Sequence, residues 1–407
     1  AMSLISDPDL LIADEPTTAL DVTTQAEILA LFRRVQQQRR MSCVFITHDM
    51  GVAAEIADRI AVMYRGRLVE HGAAREILTA PRHPYTRALL DCVPQIGVSR
   101  RDGFPTIDAA LLAAATEGAP TSGELTSVAD LAARQPVVQD EPAPPLLVDG
   151  VTKRFSGRFG ARRTNAFTAV DDLNLTLEPG EFFGLVGESG SGKTTLGRMV
   201  AGLERPSEGT IRYGEYTIDA NGLSGDERRF RRRVQMIFQD PQSSLDPRMT
   251  ASAIVAEPLR ALTGLRGDAL ARRAQELLDE VGLPAGSGRK YPSQLSGGQR
   301  QRVAIARAIA AEPNLIVADE PTSALDVSVQ GQVMNVLLAL QRTRDLSFLF
   351  ITHNLSLVLS VADRIGVMKN GRLVEVGTPD EIAGQPQHDY TRRLLDANPS
   401  MDIIRSR

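Results

Sequence analysis

The sequence predicts an α/β protein built on a parallel sheet, present as one complete copy and one partial copy. Three observations carry this. Residues from Leu10 onward recur 305 positions later, from Leu315, without a slip of register. Gly180 to Val186 reads as a buried strand that feeds a glycine-rich loop and then a helix, Leu196 to Gly202. Leu315 to Ala318 reads as a second strand buried on both faces, and it delivers Asp319 and Glu320 at its C-terminal end, where open parallel sheets place their chemistry.

The repeat sets the domain boundaries. Leu10 to Asp21 returns as Leu315 to Asp326, which matches Asp14, Glu15 and Asp21 to Asp319, Glu320 and Asp326. Phe45 to His48 returns as Phe350 to His353, Gly66 to Glu70 as Gly371 to Glu375, and Tyr85-Thr86 as Tyr390-Thr391. A period this long marks two copies of one domain, not a solenoid. The expected organisation is a partial first copy over 1–96, a linker over 97–145 and a complete second copy over 146–407. The linker is rich in Ala, Pro, Thr, Glu and Ser, with room for a short helix at Ala109 to Thr116.

Composition limits the function classes. The chain has 407 residues, enough for two or three domains at roughly 150 residues each. Its 46 Lys and Arg against 50 Asp and Glu give a net charge of −4, which offers no reason to expect nucleic acid as partner. Cys43 and Cys92 can build neither a disulfide framework nor a four-thiolate metal site, so a reducing compartment is expected. No apolar run is long enough to span a bilayer and no signal peptide is legible, so any membrane role is expected to come through a partner.

Gly187-Glu188-Ser189-Gly190-Ser191-Gly192-Lys193-Thr194-Thr195 is GxxxxGK[ST] between a strand and a helix. Its glycines let successive N–H groups turn onto phosphate oxygens. Lys193 supplies a point charge to the outer phosphates, and Thr194 offers a hydroxyl to Mg²⁺. Lys193 is one of only four lysines, with Lys153, Lys290 and Lys369. Of the two carboxylates after the Leu315 strand, Asp319 is expected in the Mg²⁺ shell, and Glu320 is expected to polarise the attacking water. Ser296 with Gly297 and Gly298 opens an apolar helix, Val303 to Ala311, whose N-terminus is a second place to put phosphate.

Leu295-Ser296-Gly297-Gly298-Gln299, between the P-loop and Asp319-Glu320, resembles the signature of ATP-binding-cassette ATPases. The resemblance implies a RecA-like parallel core with an antiparallel β subdomain and a helical signature subdomain. It also implies that ATP is held between the P-loop of one module and the signature of another. Phe155 is similar to the aromatic that stacks on adenine, although an aromatic on a core strand would look the same. Gln239 resembles the glutamine that senses Mg²⁺ and water, Asp326 the acid of the inter-module loop, and His353 the histidine on the γ-phosphate. Asp14, Glu15, Asp21 and His48 are the first-copy equivalents. Phe238 to Arg248 and the tail His83 to Leu90 look like the dipeptide and oligopeptide branch of importers, and the second tail keeps His388, Tyr390 and Thr391 but has Asp389 in place of Pro.

The first copy has no P-loop, no such glutamine and no LSGGQ. Ala1 aligns with Ala306, so a truncated two-module subunit is expected, with the strand Leu10 to Ala13 lacking its sheet. The function implied is an ATPase subunit using ATP and Mg²⁺ at the cytoplasmic face of the cell membrane. It would energise two membrane-spanning permease subunits and, through them, an extracytoplasmic peptide-binding protein, without touching nucleic acid or the peptide itself. The alternative is a soluble ATPase of the same family in DNA repair or translation. Such proteins carry zinc modules, long coiled coils or basic extensions that this sequence does not show.

Overall fold

The computed structural model describes residues 7–17, 21–39, 41–107, 142–155, 158–159, 162–163, 167–323 and 325–397. Helices Val22–Arg39, Met50–Ile56, Ala74–Thr79 and Pro84–Asp91 return as Val327–Arg344, Leu355–Val361, Pro379–Gly384 and Asp389–Asp396, each 305 positions on. The expected helix at Ala109 to Thr116 lies outside the described residues.

In the first copy β1 (Leu10–Asp14) pairs in parallel with β2 (Ser42–Ile46), and β3 (Arg59–Tyr64) pairs antiparallel with β4 (Arg67–Ala73). The second copy contains β5 (Leu146–Phe155), the two-residue pair β6 (Arg158–Phe159) and β7 (Arg162–Arg163), β8 (Phe167–Leu177), β9 (Phe182–Val186), β10 (Glu208–Tyr213), β11 (Tyr216–Asp219), β12 (Gly222–Ser224), β13 (Val234–Ile237), β14 (Leu315–Asp319), β15 (Ser347–Thr352), β16 (Arg364–Lys369) and β17 (Arg372–Gly377). An antiparallel sheet has the order β12-β11-β10-β5-β8. A second sheet, β13-β14-β15-β9-β16-β17, is parallel except at its last strand.

Every residue of β9, β14 and β15 is buried, as apolar runs covered on both faces must be. Leu315, Val317, Leu349 and Ile351 pack with Leu196, Met199 and Val200 of the helix Lys193–Val200. Ile316, Ala318, Phe348 and Phe350 face a larger core shared with helices Gly297–Ile309 and Val327–Arg344. The helix after the P-loop starts at Lys193, three residues before the sequence pattern places it. Gly192 at φ 102° turns the chain sharply enough for the lysine to enter the first turn. In the second copy β9 lies between β15 and β16, whereas β2 and β3, their counterparts, share no such strand among the described residues.

The first residues of the Pro- and Ala-rich stretch are packed, not free chain. Phe104 is buried in the larger core. Its N–H donates to Asn335 Oδ1 at 2.7 Å, and Asn335 Nδ2 donates to its carbonyl at 3.0 Å. Arg100 N–H donates to the Ser360 carbonyl at 2.7 Å, and Arg342 donates to the Arg101 carbonyl and pairs with Asp102. This strap ties the end of the first copy to the helix Val327–Arg344 of the second.

Candidate active site

The site forms where β9 and β14 end. Gly187 and Gly192 are required by close approach: a Cβ on Gly187 would stand 2.1 Å from the Met368 carbonyl, and one on Gly192 2.1 Å from the Ala169 carbonyl. Lys193 is buried, and its ammonium donates to the carbonyls of Gly187 and Glu188, each at 2.8 Å, and to Ser191 Oγ at 3.3 Å. Burial pulls its pKa down, and the carboxylates of Glu320, Asp319, Asp21 and Glu188 only partly restore it.

Thr194 Oγ1 donates to Asp319 Oδ1 at 3.0 Å. Asp319 is only 2% exposed, and its burial, with Glu320 beside it, pushes its carboxyl above the usual range despite the Thr194 hydrogen bond. Mg²⁺ suits these two hard oxygen donors, because a cation would relieve a carboxylate that burial now penalises. Among the described residues no group of three His, Cys, Asp or Glu side chains could hold a metal by itself. That is ordinary for Mg²⁺ bound with phosphates and waters.

Glu320 sits at φ 46°, a conformation rare outside glycine, with its N–H donating to the Ile351 carbonyl at 2.8 Å. Its Oε2 receives Gln239 Nε2 at 3.0 Å and lies 3.3 Å from His353 Nδ1. Burial alone would raise this carboxyl, but the His353 hydrogen bond and the charges of His353 and Lys193 outweigh it, so the group lies below its ordinary value. A carboxylate kept ionised beside a histidine and an amide is equipped to polarise a water.

The structure thus brings together Lys193, Thr194, Gln239, Asp319, Glu320 and His353. Phe155 stands apart at the end of β5, 41% exposed, with the Lys153 ammonium 5.0 Å from its ring centroid. Among the signature residues Leu295 is buried. Ser296 caps the helix Gly297–Ile309, accepting from Gln299 N–H at 3.3 Å while its own N–H donates to Gln299 Oε1 at 3.1 Å. Gly298 has a packing reason as well, since a Cβ there would meet Val329 Cγ1 at 2.3 Å. Asp326 caps Val327–Arg344 through Val329 N–H at 3.0 Å, and Asp21 caps Val22–Arg39 through Thr24 N–H at 2.9 Å.

The first copy lies across this end of the second. Between the two lies a partly open cavity of about 140 Å³ whose lining includes His48 and Asp49 from one copy and Ser323, Gln330, His353 and Asn354 from the other. The arrangement is crossed: the Asp21 charge acts on Lys193 and Tyr390, and the Asp326 charge on Tyr85 and Cys92. One contact at the P-loop carries no signal in the sequence. Glu188 N–H donates to the hydroxyl of Tyr390, a residue of the C-terminal tail, at 2.9 Å.

Residues 170–323 match the family model described as ABC transporter. A solved ATP-binding cassette, MJ0796 in a dimeric post-hydrolysis state bound to ADP and Pi, is 30% identical with a TM-score of 0.50. The match covers 57% of this chain and 98% of that one. The chain belongs to the ATP-binding-cassette family. Membership implies nucleotide binding. Residues 69–118 and 374–406 of this cassette protein match the model described as oligopeptide/dipeptide transporter, C-terminal region. The glutathione import ATP-binding proteins GsiA of Salmonella paratyphi A and of Escherichia coli strain K12 are each 46% identical to it across its whole length. The chain spans 64% of the length of these relatives.

Proposed function

We propose that this chain binds Mg-ATP at Gly187–Thr195 and hydrolyses it as the energy-supplying subunit of a peptide importer. The observation that carries the reading is the convergence of Gln239 and His353 on one oxygen of Glu320, beside the Lys193 and Thr194–Asp319 groups. In this reading Phe155 stacks on adenine, Lys193 and the loop amides hold the phosphates, and Thr194, Gln239 and Asp319 hold Mg²⁺, which offsets phosphate charge. Glu320 polarises the attacking water, His353 contacts the γ-phosphate, and Asp326 works across the module interface. Leu295 to Gln299 serve the nucleotide of an opposing module.

Peptides are the favoured cargo because both tails match the oligopeptide/dipeptide model and the relatives are named for glutathione import. None of these names supports the alternative in DNA repair or translation. Among the described residues no helix is long and apolar enough to cross a membrane. We place the chain at the cytoplasmic face, working on two membrane-spanning permease subunits and, through them, an extracytoplasmic binding protein. The P-loop and the LSGGQ of the second copy each supply one half of a composite site completed by an opposing module.

Two substitutions test the site. Lys193→Ala removes most ATP affinity, whereas Glu320→Gln keeps binding and lowers turnover by roughly a hundredfold or more. Parental turnover in Glu320→Gln, or parental ATP affinity in Lys193→Ala, contradicts the reading.

A further inference from the structure

The tail residue Tyr390 is separated from the P-loop by most of the second copy, yet its hydroxyl reaches Glu188 N–H at 2.9 Å. The peptide unit it grips also carries the Gly187 carbonyl, and that carbonyl accepts from the Lys193 ammonium at 2.8 Å. A peptide unit is planar, so fixing its N–H fixes the direction of its carbonyl. The turn after β16 holds the same loop from another side, with Gly371 N–H donating to the Ser191 carbonyl at 3.0 Å.

Tyr390 is itself firmly seated. Its ring is buried in the larger core, and the Lys369 ammonium stands 4.8 Å from its centroid. The helix that carries it is capped by His388 Nδ1, which accepts from Tyr390 N–H at 3.0 Å. His388 is in turn held by Glu375, which accepts from the N–H groups of Gln387 and His388 at 2.7 and 3.0 Å. Burial pushes the phenol up to about 12, so it accepts from Glu188 as a neutral hydroxyl at any working pH.

The first copy repeats this tail. Glu70 accepts from Arg82 and His83 N–H, and His83 Nδ1 accepts from Tyr85 N–H at 3.1 Å. There the tyrosine ring lies against Tyr64, centroid to centroid 4.5 Å, at the position where the second copy has Lys369. The internal hydrogen bonds of the tail thus recur in both copies, and the hydroxyl contact with Glu188 is made in addition to them.

We propose that Tyr390 is a positioning residue for nucleotide binding: through Glu188 N–H it orients the Gly187–Glu188 peptide, and with it Lys193, for the incoming phosphates. This rests on the reading of Gly187–Thr195 as the nucleotide loop. Tyr390→Phe in the full chain keeps the ring and its burial and removes only the acceptor. The affinity for Mg-ATP, measured by calorimetric titration, falls roughly threefold to tenfold, the worth of one hydrogen bond. Amide hydrogen exchange over 187–192 speeds up without nucleotide. Tyr85→Phe changes neither. Unchanged affinity in Tyr390→Phe overturns the proposal, and so does a lowered melting temperature with parental affinity and exchange, because Tyr390 is then only structural. If Lys193→Ala binds Mg-ATP as tightly as the parent, the nucleotide-loop reading itself is wrong and the proposal goes with it.

Discussion

Ile46 and Ile351 stand in the same Phe-Ile-Thr-His run of the two copies, yet Ile46 is 47% exposed and Ile351 is fully buried. Leu10, Ile12 and Val44 are exposed in the same way, while their counterparts Leu315, Val317 and Leu349 are buried under the P-loop helix. The acid and histidine do not follow this difference. Glu15 lies at φ 43° with its N–H on the Ile46 carbonyl at 2.9 Å and its carboxylate 2.8 Å from His48 Nδ1, close to the Glu320 geometry. The geometry of the pair is local to two adjacent parallel strands and the turns that leave them. Burial, and the electrostatics that comes with it, is supplied by the rest of the module.

The same substitution in both copies tests that division most sharply. Ile351→Thr loses buried apolar volume and leaves a hydroxyl facing Leu196 and Met199, at a cost of about 2 to 4 kcal/mol. Ile46→Thr costs within about 0.5 kcal/mol, as surface changes do. Urea denaturation of the two variants reads the difference, and equal losses would show that the two strands are equally supported.

Asn335 breaks the equivalence of the copies in another way, since Ala30 occupies its place in the first. Asn335→Ala leaves the N–H and carbonyl of Phe104 without their partner. The loss is about 1 to 3 kcal/mol, with faster tryptic cleavage after Arg100 and Arg101. Parental cleavage would mean that the strap is held by its other contacts.

The smallest effect concerns pH. His353 helps hold the Glu320 carboxyl below its ordinary value. A carboxyl depressed by folding contributes stability above its unfolded pKa, and that contribution is lost as pH falls through the folded value. His353→Ala raises the folded value, so the acid limb of hydrolysis, and of any stability tied to Glu320, moves to higher pH. An unmoved limb would assign the depression to Lys193 instead.

Much of this was legible in sequence. The P-loop, the Asp319-Glu320 pair and the helix start at Ser296 are local patterns, and the repeat put the two copies in one register, as the four helix pairs 305 positions apart show. The strand Leu10–Asp14 pairs, among the described residues, with β2. The Tyr390 contact was not legible because it joins residues far apart through a single hydroxyl. The packed strap at 99–107 was hidden by a composition of Arg, Gly, Asp and Pro in which Phe104 and Ile107 are the two large apolar side chains, too few and too spaced to show a period.

The two hydrogen bonds between Phe104 and Asn335 have a kinetic meaning as well. Held by so short a strap, the first copy meets the catalytic end of the second at an effective concentration on the order of millimolar. The clasp therefore acts as a retention device, and how fast it lets go sets how long the first copy stays at that end.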